Sequence, residues 1–225
     1  MKKYPRTPHL PFSPGLQNDD RRCDPADLQA LIDNGVECVL MLKLDGGNTC
    51  LKPDGIFART HSFETACPTF NFVKSMHYHP NKETIQKENI AVFGENMFAV
   101  HTITYTELTD YFYVFGVVDL DTEEFHSVEM MKLYAELMNM QIAPIVYEGT
   151  IASVEWLEQF INEQMKTESA FGGEKEGFVI RVASQFPVSE FGSKVFKWVR
   201  RNHVATDQFW RQNWKQQPKL TGWVK

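Results

Sequence analysis

The chain has 225 residues and a mass of 26.0 kDa, enough for one large domain or two small ones whose core needs no staples. Hydrophobic residues make up 43% and charged residues 23%, which excludes a disordered or collagen-like chain; no apolar run reaches the roughly 18–20 residues that span a bilayer. The net charge of −6 hides an asymmetry: residues 194–225 hold eight Lys/Arg against one acid, Asp207, so residues 1–193 carry −13.

Residues 1–23 are Pro-rich and irregular, and the basic start at 1–6 has no apolar stretch behind it, so no signal peptide is expected. Asp24-Pro25-Ala26-Asp27 opens a short helix, with Asp24 as cap, Pro25 in the first turn and Gly35 as the stop. Residues 36–44 read as a buried strand. Asp45-Gly46-Gly47-Asn48 reads as a tight turn from which Thr49-Cys50-Leu51 resumes a strand, a hairpin-like unit. A strand at 55–59 follows the turn at Pro53-Asp54. The segments 91–93, 97–100 and 111–118 are aromatic and β-branched and predict central strands. Helices follow at 128–140 behind Ser127 and at 154–166 behind Ser153. Strands are expected at 177–182 and 194–199, and a closing helix at 204–215. The layout is α+β, an antiparallel sheet core with helices outside.

Cys23, Cys38, Cys50 and Cys67 are too few and too widely spaced to staple a chain of this size and read as reduced thiols of a cytosolic protein. The basic tail also holds Trp198, Trp210, Trp214 and Trp223. Cations that track a phosphate backbone beside rings that stack on bases suit nucleic acid. A helix with a solvated basic face and buried tryptophans accounts for the same residues equally well. His77-Tyr78-His79 with Cys67 suggests a metal site only weakly, because no further ligand sits at a suggestive spacing. His101 could touch a phosphate, but a packed or surface histidine is the reading that the residue favours.

The chemistry concentrates at Lys43-Leu44-Asp45-Gly46-Gly47-Asn48. A lysine ending a buried strand is desolvated, which lowers its pKa toward that of a nucleophile. An unperturbed lysine is free amine in only about one molecule in 2,500 at pH 7. The glycines let the backbone approach a phosphate, and Asn48 can donate to a phosphoryl oxygen. Taken alone, the hexapeptide favours a β-hairpin with a Gly-Gly turn and a solvent-facing lysine. Glu95 in Phe93-Gly94-Glu95 could accept a ribose hydroxyl, Glu176 before an apolar strand could hold Mg²⁺ or its water shell, and Lys197 could offset charge on a transferring phosphoryl group.

Taken together and in order, these segments resemble the RNA ligase branch of the covalent nucleotidyltransferases, which also include ATP-dependent DNA ligases and mRNA-capping guanylyltransferases. Lys43-Leu44-Asp45-Gly46 is similar to the nucleotidyl-lysine motif, and Asn48 and Arg59 to residues of the RNA branch. Phe93-Gly94-Glu95, Tyr111-Phe112-Tyr113-Val114-Phe115, Glu176-Gly177-Phe178-Val179-Ile180-Arg181 and Phe196-Lys197-Trp198-Val199-Arg200 resemble the motifs that follow. The N-terminal Tyr4-Pro5-Arg6-Thr7-Pro8-His9-Leu10-Pro11 is similar to a subset of phage and bacterial RNA ligase-like proteins. Three positions depart from the pattern: Leu42 where relatives often carry an acid, Gly116 where they often carry Asp, and Val195 in place of a first lysine, with Lys194 as a substitute.

The resemblance implies an α+β nucleotidyltransferase (an ATP-grasp-like adenylation domain) over residues 1–225, with no C-terminal OB domain. It implies an ATP-dependent RNA ligase that forms lysyl-AMP, using ATP as AMP donor and Mg²⁺ or Mn²⁺. Lys43 is then the nucleophile, with Lys197 and Arg59 stabilising the transition state. Leu42, Asn48, Glu95, Phe115 and Glu176 complete the nucleotide site, with Phe115 stacking on the base. Asp45 and Glu176 are the expected metal ligands, and Lys194, Arg200, Arg201 and His203 the expected RNA contacts. The partners are RNA ends, among them those of a nicked duplex, and the location is a bacterial or phage-infected host cytosol. Whether an end-healing kinase or phosphatase works with it stays open, as does oligomeric state. A DNA ligase, a guanylyltransferase or a non-catalytic nucleic-acid-binding relative are the alternatives.

Overall fold

The computed structural model, which describes residues 3–17, 19–59, 66–77, 81–201 and 214–218, divides its strands between two sheets. The first has the order β11-β9-β1-β8, formed by β1 (Glu37–Lys43), β8 (Ile145–Thr150), β9 (Gly177–Val182) and β11 (Val195–Val199), with every neighbouring pair antiparallel. The second runs β10-β6-β5-β4-β2-β3, from β2 (Gly47–Lys52), β3 (Gly55–Ala58), β4 (Ile90–Asn96), β5 (Phe112–Asp119), β6 (Glu124–Phe125) and β10 (Phe186–Pro187). The short β7 (Gln141–Ile142) adds to β5 in parallel. A mixed α+β fold with antiparallel sheets is therefore observed.

The helices follow their caps. In α1 (Pro25–Asp33) the Asp24 carboxylate accepts from the Ala26 amide, and Gly35 leaves the helix at a φ of +57°. Ser127 caps α4 (Val128–Leu137) and Ser153 caps α5 (Val154–Gln164), each hydroxyl accepting an amide three residues on. Short helices α2 (Asn71–Met76), α3 (Lys82–Lys87) and α6 (Phe191–Lys194) complete the set. α4 packs on β5, and α5 lays Trp156 and Phe160 against Tyr147 of β8, with ring centroids 5.0 and 5.4 Å apart.

Three expectations need correction or limits. Asp45-Gly46 does not close a hairpin, because β1 and β2 belong to different sheets; the hairpin is β2–β3, through Pro53-Asp54. At Gly46 a Cβ would lie 2.6 Å from the Asn96 carbonyl oxygen and 2.8 Å from Met97 Sδ, so glycine lets the crossover pass close over β4. Residues 97–100 are not a central strand; they make one antiparallel bridge, Ala99 to Gln216, and Gln217 donates its amide to Phe98 O. Of the closing helix expected at 204–215, residues 204–213 lie outside the described residues, and Trp214 and Lys215 are not helical.

The core runs through both sheets, with Phe93, Phe112, Phe125, Phe178 and Phe196 all fully buried. Trp198 belongs to it, and Trp214 rests 5.7 Å from the Phe98 ring; Trp210 and Trp223 lie outside the described residues. Among the described residues no helix is long and apolar enough to cross a membrane. All four cysteines are free thiols, and burial pushes Cys23 and Cys38 up to about 11 and Cys50 to about 12, which keeps these three inert.

Candidate active site

A cleft of about 710 Å³ opens between the sheets. Strand pairing decides what the first sheet offers it. Lys43 is opposite Gly177, Val179 opposite both Met41 and Lys197, and Arg181 opposite both Val39 and Val195. Directly paired residues share a face, so Met41, Lys43, Val179, Arg181 and Lys197 all line the cleft. The alternate residues Leu40, Phe178, Ile180 and Phe196 are fully buried on the other side. Gly177 lets β9 close on β11, since a Cβ there would collide with the Trp198 carbonyl oxygen. Glu176 thereby stands beside the end of β1, where its Oε2 accepts from Lys43 Nζ at 2.6 Å.

The second sheet supplies the opposite wall. Asn48 pairs with Glu95, and Glu95 with Tyr113. The register slips between Phe93 and Gly94, which are opposite Gly116 and Val114, and leaves Phe115 as the extra residue. Such a bulge re-aims a side chain, and Phe115 lines the cleft with Tyr4 packed edge-on at 5.1 Å. The Arg59 amide donates to Asn48 O just after β3, which brings Arg59 to the cleft. Asn48 Oδ1 is buried and has no hydrogen-bond partner among the described residues. A buried acceptor left unpaired is costly, and a ligand donor or ion in the cleft would satisfy it.

All eight expected nucleotide-site residues (Leu42, Lys43, Asn48, Arg59, Glu95, Phe115, Glu176 and Lys197) thus line one cleft. Leu42 differs in kind: alternation along β1 turns its side chain, only 4% exposed, to the face opposite Lys43. Asp45 lines the cleft as well, but its Oδ2 already accepts from the Thr102 and Ile103 amides at 2.7 and 2.6 Å. The 102–105 loop is fixed in turn by Gln217, whose side chain accepts from Tyr105 N and donates to Ile103 O.

The expected RNA contacts stand outside the lining. Lys194 is ion-paired with Glu190 at 3.6 Å and Arg200 with Glu174 at 2.7 Å, while Arg201 is exposed; His203 lies outside the described residues. His101 does line the cleft. His77 is fully buried, Cys67 Sγ meets the Thr69 hydroxyl at 3.1 Å, and no group of three or more His, Cys, Asp or Glu that could hold a metal is found among the described residues; Tyr78 and His79 lie outside them.

Sequence reasoning missed Tyr4, Pro5 and Thr7, which reach the cleft from the N-terminal segment, and gave Arg181 no role of its own. Burial pushes Arg181 down to about 10; its guanidinium donates to His126 O at 2.7 Å, and no carboxylate pairs with it among the described residues. The sole sequence signal for it is a cation at an alternate position of an apolar strand.

The electrostatics differ from the expectation of a depressed lysine. Burial does act to lower the Lys43 pKa, but Glu176, Glu95 and Asp45 outweigh it and raise it above the ordinary value. Lys43 therefore rests as an ammonium. Glu95 is pushed up to about 8 by burial, opposed by Lys43 and reinforced by Glu176 and Asp45. A carboxyl raised in the folded state stabilises it fully below its unfolded value and loses that contribution as pH rises through the folded value. The melting temperature of the wild-type protein is thus expected to fall relative to Glu95→Gln between about pH 5 and pH 9. Parallel melting curves for the two proteins would refute the assignment.

Residues 36–199 match the RNA ligase family, and the chain belongs to it. Its fold is similar to that of a Naegleria gruberi RNA ligase mutant in apo form, with 17% identity, a TM-score of 0.59, and 91% of this chain and 59% of that one covered. Another mutant of that ligase, with ATP and Mn, gives 15% identity and a TM-score of 0.57, covering 90% of this chain and 62% of the other. A third, with AMP and Mn, gives 16% and 0.59, covering 90% and 59%. The chain spans about three-fifths of the length of these ligases. No curated protein matches it.

Proposed function

We propose that the protein is an ATP-dependent RNA ligase that works through a covalent lysyl-AMP. The observation that carries this is the Lys43 amine, 2.6 Å from Glu176, in one cleft with Asn48, Arg59, Glu95, Phe115 and Lys197. Family membership supports it, as do the ATP and AMP held by structurally similar ligases.

Lys43 Nζ, once it has lost its proton, attacks the α-phosphorus of ATP; an N–P bond forms and the bond to pyrophosphate breaks. A 5′-phosphate oxygen of an RNA end then takes the AMP, and the N–P bond breaks. A 3′-hydroxyl attacks that 5′-phosphorus, seals the strand and releases AMP. Phe115 stacks on the base, and Glu95 receives a ribose hydroxyl. Arg59 and Lys197 meet the charge that grows on the phosphates, and Arg201 with His203 meets the RNA backbone. Lys194 and Arg200 join them on exchanging Glu190 and Glu174 for phosphate. The four free thiols suit a cytosolic site of action.

The donor set suits a divalent cation. Burial first, then Glu176 and Asp45, push Glu95 up to about 8 against the pull of Lys43, so negative charge is crowded in the cleft and a cation would offset it. Mg²⁺ commonly takes one or two carboxylates, several waters and substrate phosphates. Glu176 and the second oxygen of Asp45 would hold it, with Glu95 beside them. When bound it would offset phosphate charge and draw the carboxylates' field away from Lys43.

The test is incubation with Mg²⁺ and each of four α-³²P nucleoside triphosphates, followed by a denaturing gel. Label from ATP alone is the expected result. Label from GTP would move the protein to capping chemistry, and no label from folded, nucleotide-free protein would overturn the proposal.

A further inference from the structure

The N-terminal segment holds a closed chain of polar contacts that begins and ends on β11. Val199 N donates to Ser13 Oγ at 3.0 Å, and Ser13 Oγ lies 2.9 Å from His9 Nδ1. His9 Nε2 lies 3.1 Å from Asp20 Oδ2, an approach that is an ion pair when the ring is protonated and is not aligned as a hydrogen bond, and Asp20 Oδ1 lies 3.5 Å from Lys197 Nζ. Both His9 and Ser13 are buried, His9 completely. The main chain supports the same alignment: Leu10 N donates to Lys197 O, Lys197 N to Pro8 O, His9 N to Arg21 O, and Cys23 N to His9 O. Gln17 N donates to Asp20 Oδ2 at 3.1 Å and fixes the carboxylate's turn.

We infer that Asp20 is a positioning residue that holds the Lys197 ammonium at the wall of the cleft, with the Gln17 amide and the neighbouring His9 ring holding Asp20 in turn. The inference rests on the ligase reading above. Lys197 has a flexible four-carbon stem and lines the same wall of the cleft as Lys43, two strands away on the first sheet. Without an anchor, repulsion from Lys43 and desolvation both act against a charged, well-placed ammonium. Asp20 Oδ1 supplies that anchor, 177 residues away in sequence. Burial lowers the Lys197 pKa, Asp20 opposes that, Lys43 adds to it, and Glu176 opposes it more weakly. Burial acts to raise Asp20, but the Gln17 amide, Lys197 and His9 outweigh it and hold its carboxyl below the usual range. An anion that stays charged and a cation that needs a partner therefore face each other beside the phosphate site.

The test is a double-mutant cycle on the single-turnover rate of labelled adduct formation at saturating ATP, with Asp20→Asn, Lys197→Met and the pair. Asp20→Asn is expected to lower the rate by about tenfold or more, and Asp20→Glu, which keeps the carboxylate, to recover most of it. In the Lys197→Met background Asp20→Asn is expected to cost nothing further, because the residue it acts through is gone. A purely structural role would add its loss in both backgrounds and would overturn the inference. So would a wild-type rate in Asp20→Asn. Absence of label in the wild-type protein is a different failure: it overturns the ligase reading and takes this inference with it.

Discussion

Lys43→Ala is expected to abolish the covalent nucleotide adduct, and Lys43→Arg to do no better. Arginine keeps the charge and the contact with Glu176 but never offers a free amine at working pH. Removal of a nucleophile from an assembled site typically costs about a million-fold, beyond what a labelling gel detects. The wild-type protein carries a further signature. Glu176, Glu95 and Asp45 hold the Lys43 pKa above its ordinary value, so the free amine is scarce near neutrality and grows with pH. Adduct formation should then rise about tenfold per unit between roughly pH 6 and pH 9. A rate independent of pH over that span would show that deprotonation of Lys43 is not what limits the step. Adduct formation by Lys43→Ala would remove Lys43 from the reaction altogether.

Glu176→Gln is expected to move two observables in opposite directions. The carboxylate 2.6 Å from the amine is the largest of the charges that raise Lys43. With it neutralised, the climb of rate with pH should begin at lower pH. The plateau, in contrast, should fall by about 10²–10³-fold, the usual cost of removing one preorganised polar group from a reacting centre. That loss has two sources: the amine is no longer held at the end of β1, and one carboxylate for a divalent cation is gone. Single-turnover labelling across pH, at fixed Mg²⁺, separates the two effects. A fall in plateau with no displacement of the profile would mean that Glu176 acts on the cation and not on the Lys43 proton. No fall at all would remove it from the site.

The site was more legible in the sequence than the path of the chain that builds it. The residues Lys43, Asn48, Arg59, Glu95, Phe115, Glu176 and Lys197, singled out together only through the ordered resemblance to RNA ligase motifs, all line one cleft. Capping at Asp24, Ser127 and Ser153 was legible because it depends on neighbours two or three residues away. The sheet change at Asp45-Gly46 was not: a Gly-Gly turn looks the same whether its flanks pair with each other or part into two sheets. What distinguishes them is the approach of Asn96 and Met97 to Gly46, a contact made some fifty residues on. The segment 97–100 has the composition of a strand, yet it pairs with Gln216 instead of with the central ladder. The sign of the Lys43 shift is not legible in the sequence, because burial shows as an apolar run whereas the three carboxylates that outweigh it are brought to the amine only by folding. His9 and Asp20 carried no signal, since their meaning lies in contacts with Ser13 and with Lys197 at the far end of the chain.

The division of the cleft between two sheets has a mechanical consequence. The amine, Glu176 and Lys197 ride on one hydrogen-bonded layer; Asn48, Glu95 and Phe115 ride on the other. Any molecule that touches both acts as a rivet between layers that the chain joins at this edge by the thin strip from Lys43 to Gly47. On the proposed reaction, the bound and the tethered nucleotide would each set their own gap between the two layers. A nucleotide that is bound, then tethered, then released would drive the two layers through a cycle of clamping and relaxation in step with the chemistry.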